Sequence, residues 1–225
     1  MQPKRLTITV VLFLSLSGCA WWSARETRLS DPAALYRKGY DDYQRGRYEK
    51  AVESFQRLKE EYPLSDLAIR AELGVADAHF SMEEYGSAES DYETFVNLHP
   101  ANENLPYAMY QIGMCHYLQI LGIDRDQTET MSTVKEFEKL MTRFPTSRFS
   151  FLAEKKVKEC KNRLAEHEFY IGKLYFRMKQ YKAALRRFEH LSHNYANVGL
   201  DYKVKFYLEE TRKKLAQGEK KIGAK

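Results

Sequence analysis

The chain has 225 residues, 36 Lys and Arg against 31 Asp and Glu, and a formal net charge of +5 at pH 7. Charges of both signs are mixed along its length, so the balance is too mild for a nucleic-acid-binding protein, and no nucleic-acid partner is expected. Gly-x-Gly-x-x-Gly, the P-loop, Gly-x-Ser-x-Gly and His-Glu-x-x-His are all missing, which argues against an enzyme.

Met1-Gln-Pro-Lys4-Arg5 is followed by an uncharged run from Leu6 to Leu16 and then by Ser17-Gly18-Cys19. A basic start, a short apolar core and small residues at its end mark residues 1–18 as a secretory signal. The apolar run falls short of the ~20 residues that span a bilayer. Leu16-Ser17-Gly18-Cys19 resembles a bacterial lipobox, in which Cys19 is diacylated and becomes the mature N-terminus; an ordinary cleaved signal with an incidental cysteine is the alternative. Ala20 stands where an aspartate would resemble an inner-membrane retention signal. The expected location is therefore the periplasmic face of the outer membrane, held by a covalent lipid on Cys19 and by no other cofactor. Loss of the signal removes Lys4 and Arg5 and lowers the net charge by two.

Residues 19–31 read as a lipidated tether whose Trp21 and Trp22 suit the membrane interface. Asp31-Pro32 then supplies an N-cap with proline at the first helical position. A pattern Tyr-x-x-Ala-x-x-x-aromatic follows in three copies: Tyr48-Ala51-Phe55, Tyr85-Ala88-Tyr92 and Tyr181-Ala184-Phe188. Gly39, Ala76 and Gly172 each stand twelve residues before the alanine, and Pro63 and Pro100 close the first two copies. Such spacing predicts an all-α tetratricopeptide superhelix of about five helical hairpins, a class that offers grooves to other chains.

In chain order, Leu35, Gly39 and Tyr43 share a face of a first helix, which Arg45-Gly46-Arg47 ends; a second helix runs from Tyr48 to Tyr62. Leu67 to Met82 and Tyr85 to Leu98 form the second pair. The third unit has a clear first helix with Tyr107, Tyr110, Gly113, Met114 and Tyr117, and a second with Phe137, Leu140, Met141 and Phe144. Between them lies an insertion, Gly122 to Thr128, and Thr130 and Thr133 replace the marker tyrosine and alanine. Its Asp124-Arg125-Asp126 is expected to form a loop, with an Arg–carboxylate turn, and to bind no metal. A long helix from Ser147 to Arg177, the last full repeat, a capping helix from Tyr202 to Leu215 and a disordered basic tail, residues 217–225, complete the chain. By role, 32–145 would hold the recognition groove and 146–216 a partner-docking unit.

On first helices, the concave surface would carry Tyr36, Tyr40 and Tyr43, then Leu73, Asp77 and Phe80, then Tyr107, Tyr110, Met114 and Tyr117. Tyrosines suit extended or helical peptides with aromatic anchors, but about half of these residues are expected to pack between helices instead. Lys179, Lys182, Arg186 and Arg187 form a basic strip, read either as a solvated face or as a docking strip for an acidic partner. His190 and His193 stand one helical turn apart without further ligands and are expected to be packing or solvated residues. Cys115 and Cys160 could pair in an oxidising periplasm, but two buried thiols are expected, since both sit in apolar helical segments.

The lipobox, Tyr36-x-x-Gly39, Gly46-x-Tyr48-x-x-Ala51-x-x-x-Phe55, Tyr107-Ala-Met-Tyr110-Gln-Ile-Gly113, the loop Asp124-Arg-Asp-Gln127 and Arg163-Leu-Ala-Glu-His-Glu168 resemble the BamD family across essentially the whole mature chain. These are tetratricopeptide lipoproteins of the bacterial outer-membrane β-barrel assembly machine (BAM). The resemblance implies five repeats, the last partial. The first would receive C-terminal targeting strands of unfolded outer-membrane proteins, and the last would dock on the barrel subunit BamA beside other BAM lipoproteins. It further implies that Arg187, with Arg186 beside it, contacts an acidic residue of BamA. A secretin pilotin is the alternative binding protein, disfavoured by the inserted loop and the long helix after Pro145; a periplasmic enzyme is the alternative of another class.

Overall fold

The computed structural model describes residues 31–223, with side chains as far as Gly218. These residues form helices throughout, with no strand among them: α1 (Pro32–Gln44), α2 (Tyr48–Glu61), α3 (Asp66–Ser81), α4 (Tyr85–Leu98), α5 (Leu105–Leu118), α6 (Thr128–Arg143), α7 (Arg148–Arg177), α8 (Tyr181–Asn194) and α9 (Asp201–Gly223). Side-chain caps start three of them. Asp31 accepts from the Ala33 amide, Ser65 from Leu67 and Ser147 from Phe149, each satisfying an amide that the first turn leaves unpaired. The fold is an all-α, tetratricopeptide-type succession of helical hairpins. The chain separates into two compact units, residues 1–91 and 92–225, a division by packing distinct from the division by role at 145/146.

In the first unit, Leu35, Ala51, Val52, Phe55, Leu58, Ala71, Val75 and Ala78 form the core. Phe55 lies against two backbones at once. A Cβ added at Gly39 would stand 2.7 Å from its ring, and one at Gly74 would stand 2.6 Å from it. Both distances are far inside van der Waals contact, so only glycine lets α1 and α3 close on the same ring. Gly39 belongs to the repeat pattern; Gly74 lies outside it and escapes a reading based on that spacing alone.

In the second unit α7 carries 30 residues, about 45 Å at the helical rise of ~1.5 Å per residue. Its first half places Ala153 and Val157 in a core with Met109, Phe137 and Leu140; its second half places Ala165 in another with Ala184, Phe188, Leu191 and Val204. One helix thus supplies an inner face to both α6 and α8, and counted twice it brings four hairpins and a terminal helix to about five repeats. Gly113 abuts the Phe137 ring, and Gly172 abuts Phe188, where an added Cβ would stand 2.6 Å from the ring. Thr130 and Thr133 are fully buried at the marker positions of α6. Their hydroxyls donate to Gln127 Oε1 (2.9 Å) and to the Glu129 carbonyl (2.7 Å), so neither is left unsatisfied.

The last helix differs from expectation. It continues to Gly223 instead of stopping at Leu215, so residues 217–223 are helical where a disordered tail was expected. Ala216, Gln217, Glu219, Lys220 and Lys221 are strong helix formers, and the one interruption, Gly218, costs only about 1 kcal/mol.

The turns inside the regular hairpins share one backbone feature. Gly46, Glu83 and Lys179 all adopt positive φ (70°, 62° and 60°), and each stands five residues before the marker alanine of its repeat. The left-handed conformation is free for glycine and costs an L-residue about 1–2 kcal/mol. Lys179→Gly and Glu83→Gly are therefore each expected to raise stability by up to about 1 kcal/mol, read as a higher urea midpoint. Gly46→Ala should lower it, and a stabilising Gly46→Ala would contradict the strain argument.

Candidate functional site

In the first unit the expected groove residues split by environment. Tyr36 packs at a tilt against Phe55 with ring centroids 5.7 Å apart. The Tyr43 hydroxyl and Ser81 Oγ are 3.0 Å apart; because Ser81 donates to the Asp77 carbonyl, Tyr43 is the donor to Ser81. Phe80 meets the edge of Tyr85 at 5.5 Å, Asp77 is half-buried and Leu73 is buried. Tyr40 is the open one, 49% exposed. Beneath this face His79 Nδ1 lies 2.6 Å from the Asp91 carboxylate, joining α3 to α4. Asp42, also buried, is paired with Arg47 at 2.6 Å.

In the second unit the tyrosine row of α5 faces α7. Tyr107 and Tyr110 both lie 5.6 Å from the Phe149 ring, and Tyr110 also packs 5.4 Å from Phe137. Burial pushes the Tyr110 hydroxyl above the usual tyrosine pKa. Tyr117 donates to Glu159 Oε2 at 3.0 Å while Lys156 Nζ sits 3.9 Å from its ring centre. That hydrogen bond is the main reason the Glu159 carboxyl lies below its ordinary range. Met114 packs on the core of Phe137 and Leu140. Here the tyrosines act chiefly as an aromatic seam between helices.

The inserted loop is an ordered structure. Gln127, 5% exposed, donates from Nε2 to the carbonyls of Gly122 (2.8 Å) and Arg125 (3.1 Å) and accepts from Thr130. Asp126 accepts from the Thr128 amide at 2.8 Å, and the Thr128 hydrogen bonds hold its carboxyl below the ordinary value. The loop is clamped from α7: Arg163 donates through Nε (3.0 Å) and Nη2 to the Leu121 carbonyl, and His167 Nδ1 lies 2.7 Å from the Ile123 carbonyl. The expected Arg–carboxylate turn is thus replaced by a different device. Among the described hydrogen bonds Arg125 contributes backbone only, and Asp124 and Arg125 are exposed. Loop carbonyls need donors, and α7 provides them. The one sign of the buried Gln127 amide in the sequence is its place directly before α6.

On α8, Arg186 is exposed, whereas Arg187 Nη1 lies 3.1 Å from both carboxylate oxygens of Glu168. His190 Nδ1 is 3.9 Å from the same carboxylate, and His193 Nδ1 bonds the Glu189 carbonyl one turn back at 2.7 Å. No group of three or more His, Cys, Asp or Glu side chains suited to a metal occurs among the described residues. Cys115 and Cys160 are both buried thiols, and burial pushes Cys160 up to about 11. Cys19 and the signal lie outside the described residues. No described helix is long and apolar enough to cross a membrane.

Two outcomes follow from this geometry. Arg163→Met keeps the apolar stem but removes both donors to Leu121, and is expected to cost about 1–2 kcal/mol. Amide exchange should then accelerate over residues 120–127, and unchanged exchange there would show that the clamp does not hold the loop. A raised thiol pKa keeps Cys160 neutral far above pH 8, with on the order of 0.1% thiolate at that pH. Native protein should resist iodoacetamide at pH 8 and react only as pH nears 11, whereas denatured protein should react readily at pH 8.

A family model described as an outer membrane lipoprotein, YfiO, matches residues 29–224. The outer membrane protein assembly factor BamD of Rickettsia prowazekii is 31% identical over 192 residues, 85% of this chain and 76% of that protein. BamD of Caulobacter vibrioides is 28% identical over 84% of this chain and 63% of its own length, and BamD of Neisseria meningitidis serogroup A is 27% identical over 98% and 85%. Among solved structures, the TPR2AB domain of yeast Sti1 in complex with pHSP90 superposes with a TM-score of 0.49 at 17% identity, covering 82% of this chain and 70% of that one. With a match over nearly all of the helical chain, and relatives of one name along it, this protein belongs to the YfiO family of outer-membrane lipoproteins, the family of the assembly factors BamD.

Proposed function

We propose that the protein is a non-enzymatic subunit of the outer-membrane β-barrel assembly machine. The observation that carries this reading is the family match over residues 29–224, with curated relatives named as outer membrane protein assembly factors. In this reading the chain is anchored by lipid on Cys19 at the periplasmic face of the outer membrane. Its N-terminal hairpins receive C-terminal targeting strands of unfolded barrel proteins, and its C-terminal hairpins dock on a BamA-type subunit beside other lipoproteins of the machine.

The geometry supports a scaffold over a catalyst. Several titratable groups are tied in pairs between helices, as in His79–Asp91, His116–Glu129 and Arg187–Glu168. For BamA docking, Arg186 offers an exposed guanidinium, while Arg187 is already engaged by Glu168 and would share its remaining donors with a partner carboxylate. For strand recognition in the first unit, Tyr40 supplies the exposed aromatic face.

The test is a pull-down through a C-terminal tag from detergent-solubilised membranes. A BamA-type barrel subunit is expected among the recovered proteins, in lower yield from Arg186→Glu. Recovery of a secretin without such a subunit would overturn the reading in favour of a pilotin. Mass spectrometry of the same preparation should find an N-terminus at Cys19 bearing acyl chains; an unmodified cysteine would remove the anchor from the proposal.

A further inference from the structure

Cations converge on the side of the first hairpin that turns away from its tyrosines. Between α1 and α2 lies a groove of about 640 Å³, lined by Arg37, Lys38 and Arg45 from α1 and by Arg47 and Lys50 from α2. All five are exposed. Arg47 is held at 2.6 Å by the buried Asp42, whereas the other four enter no ion pair among the described residues. Two exposed carboxylates, Asp41 and Glu53, also line the groove and are likewise unpaired there. Its accessible balance is therefore four cations against two acids, which favours an anion. At 3.6 residues per turn, the α1 side of this lining stands roughly 150° around the helix from Tyr36, Tyr40 and Tyr43.

Two observations choose the anion. Ala34 is the one apolar residue of the lining, so the groove offers charge contacts and no floor for an aromatic or aliphatic anchor. The core of a protein–protein interface has the opposite composition, rich in aromatic residues and depleted of lysine. The second observation is the place of α1 in the chain. Twelve residues separate Cys19 from Asp31, so α1 begins within about 40 Å of the proposed lipid. A tether of that length keeps the hairpin at an effective concentration on the order of millimolar at the bilayer surface, which populates even weak contacts. Lys and Arg within a Debye length of an anionic leaflet, ~8–10 Å, are drawn to its negative potential. We propose that the α1–α2 groove lies against the anionic phospholipid headgroups of the leaflet that anchors Cys19, with Arg37, Lys38, Arg45 and Lys50 on lipid phosphates. The inference rests on the anchoring reading given above and adds an orientation to it. The hairpin meets the membrane through its charged side, and Tyr40 turns away from the bilayer toward incoming chains.

The test is vesicle co-sedimentation of the mature chain, residues 19–225, carrying Cys19→Ser so that no acyl chain contributes. The probes are vesicles of phosphatidylcholine alone and of an equal mixture of phosphatidylcholine and phosphatidylglycerol. Affinity is expected to be about tenfold higher for the anionic vesicles and to fall as salt rises. Arg45→Gln with Lys50→Gln should weaken it about twentyfold, and Asp41→Asn should strengthen it about fivefold, since each charge near the surface changes binding on the order of fivefold. Lys203→Gln with Lys205→Gln on α9 removes the same charge and is the control expected to leave binding unchanged. All these side chains are exposed, and far-UV circular dichroism checks each fold. Equal binding to both vesicles overturns the inference. So does a loss from the α9 pair as large as from the groove pair, which would assign the attraction to net charge alone. Anionic binding that the groove pair does not disturb overturns the groove and leaves the proposed function standing. An unmodified Cys19 in the mass spectrum of the native protein removes the anchor, and this inference with it, whatever the vesicles show.

Discussion

The hairpins α1–α2, α5–α6 and α7–α8 each depend on one aromatic ring pressed against a glycine of the facing helix. Phe55 sits between Gly39 and Gly74, Phe137 against Gly113, and Phe188 against Gly172, all at separations that leave no room for a Cβ. A ring in such a position is fully or almost fully buried, and it fixes both the distance and the rotation of the paired helices. Much of the rest follows. The marker alanines can be small because the ring fills the space, and Thr130 and Thr133 are tolerated because Phe137 still does so. The tyrosines on the first helices then find a second aromatic surface within reach.

That last consequence governs which tyrosines stay open. In the second unit, Phe149 at the start of α7 is met by both Tyr107 and Tyr110, and Lys156 lies over Tyr117. Side chains that would floor a peptide groove in a shorter stack here join α5 to α7. Exposed apolar side chains remain on several elements, among them Tyr40 on α1, Leu118 on α5, Met131 on α6 and Phe151 and Leu152 on α7. A long α7 thus does two things at once. It bridges two cores, and it covers the tyrosines of α5 with Phe149 and Lys156.

The same helix joins two separated segments of the sequence. Arg163 and His167, inside the Arg163-Leu-Ala-Glu-His-Glu168 segment, hold the carbonyls of Leu121 and Ile123 in the inserted loop. Glu168, ending that segment, holds Arg187. The loop cannot satisfy its own carbonyls without α7, and α7 would present unused donors without the loop. These residues form a polar clasp across some forty positions of sequence, which periodicity cannot reveal because it reports only on neighbours along one helix.

Hairpin spacing, the helix cap at Asp31, the all-α class and the family were legible in the chain. They depend on local propensity and on period, which each short segment carries within itself. Gly39 and Gly172 were legible for the same reason, as small residues in fixed register with an alanine. Gly74 stands outside that register, and Gln127 makes its bonds within a loop of no regular period. Nor could the chain alone state which tyrosines stay open: Tyr40 and Tyr36 occupy the same helix and share a chemistry. What separates them is whether a ring from another helix stands opposite, and only the packing of helices distant in sequence decides that.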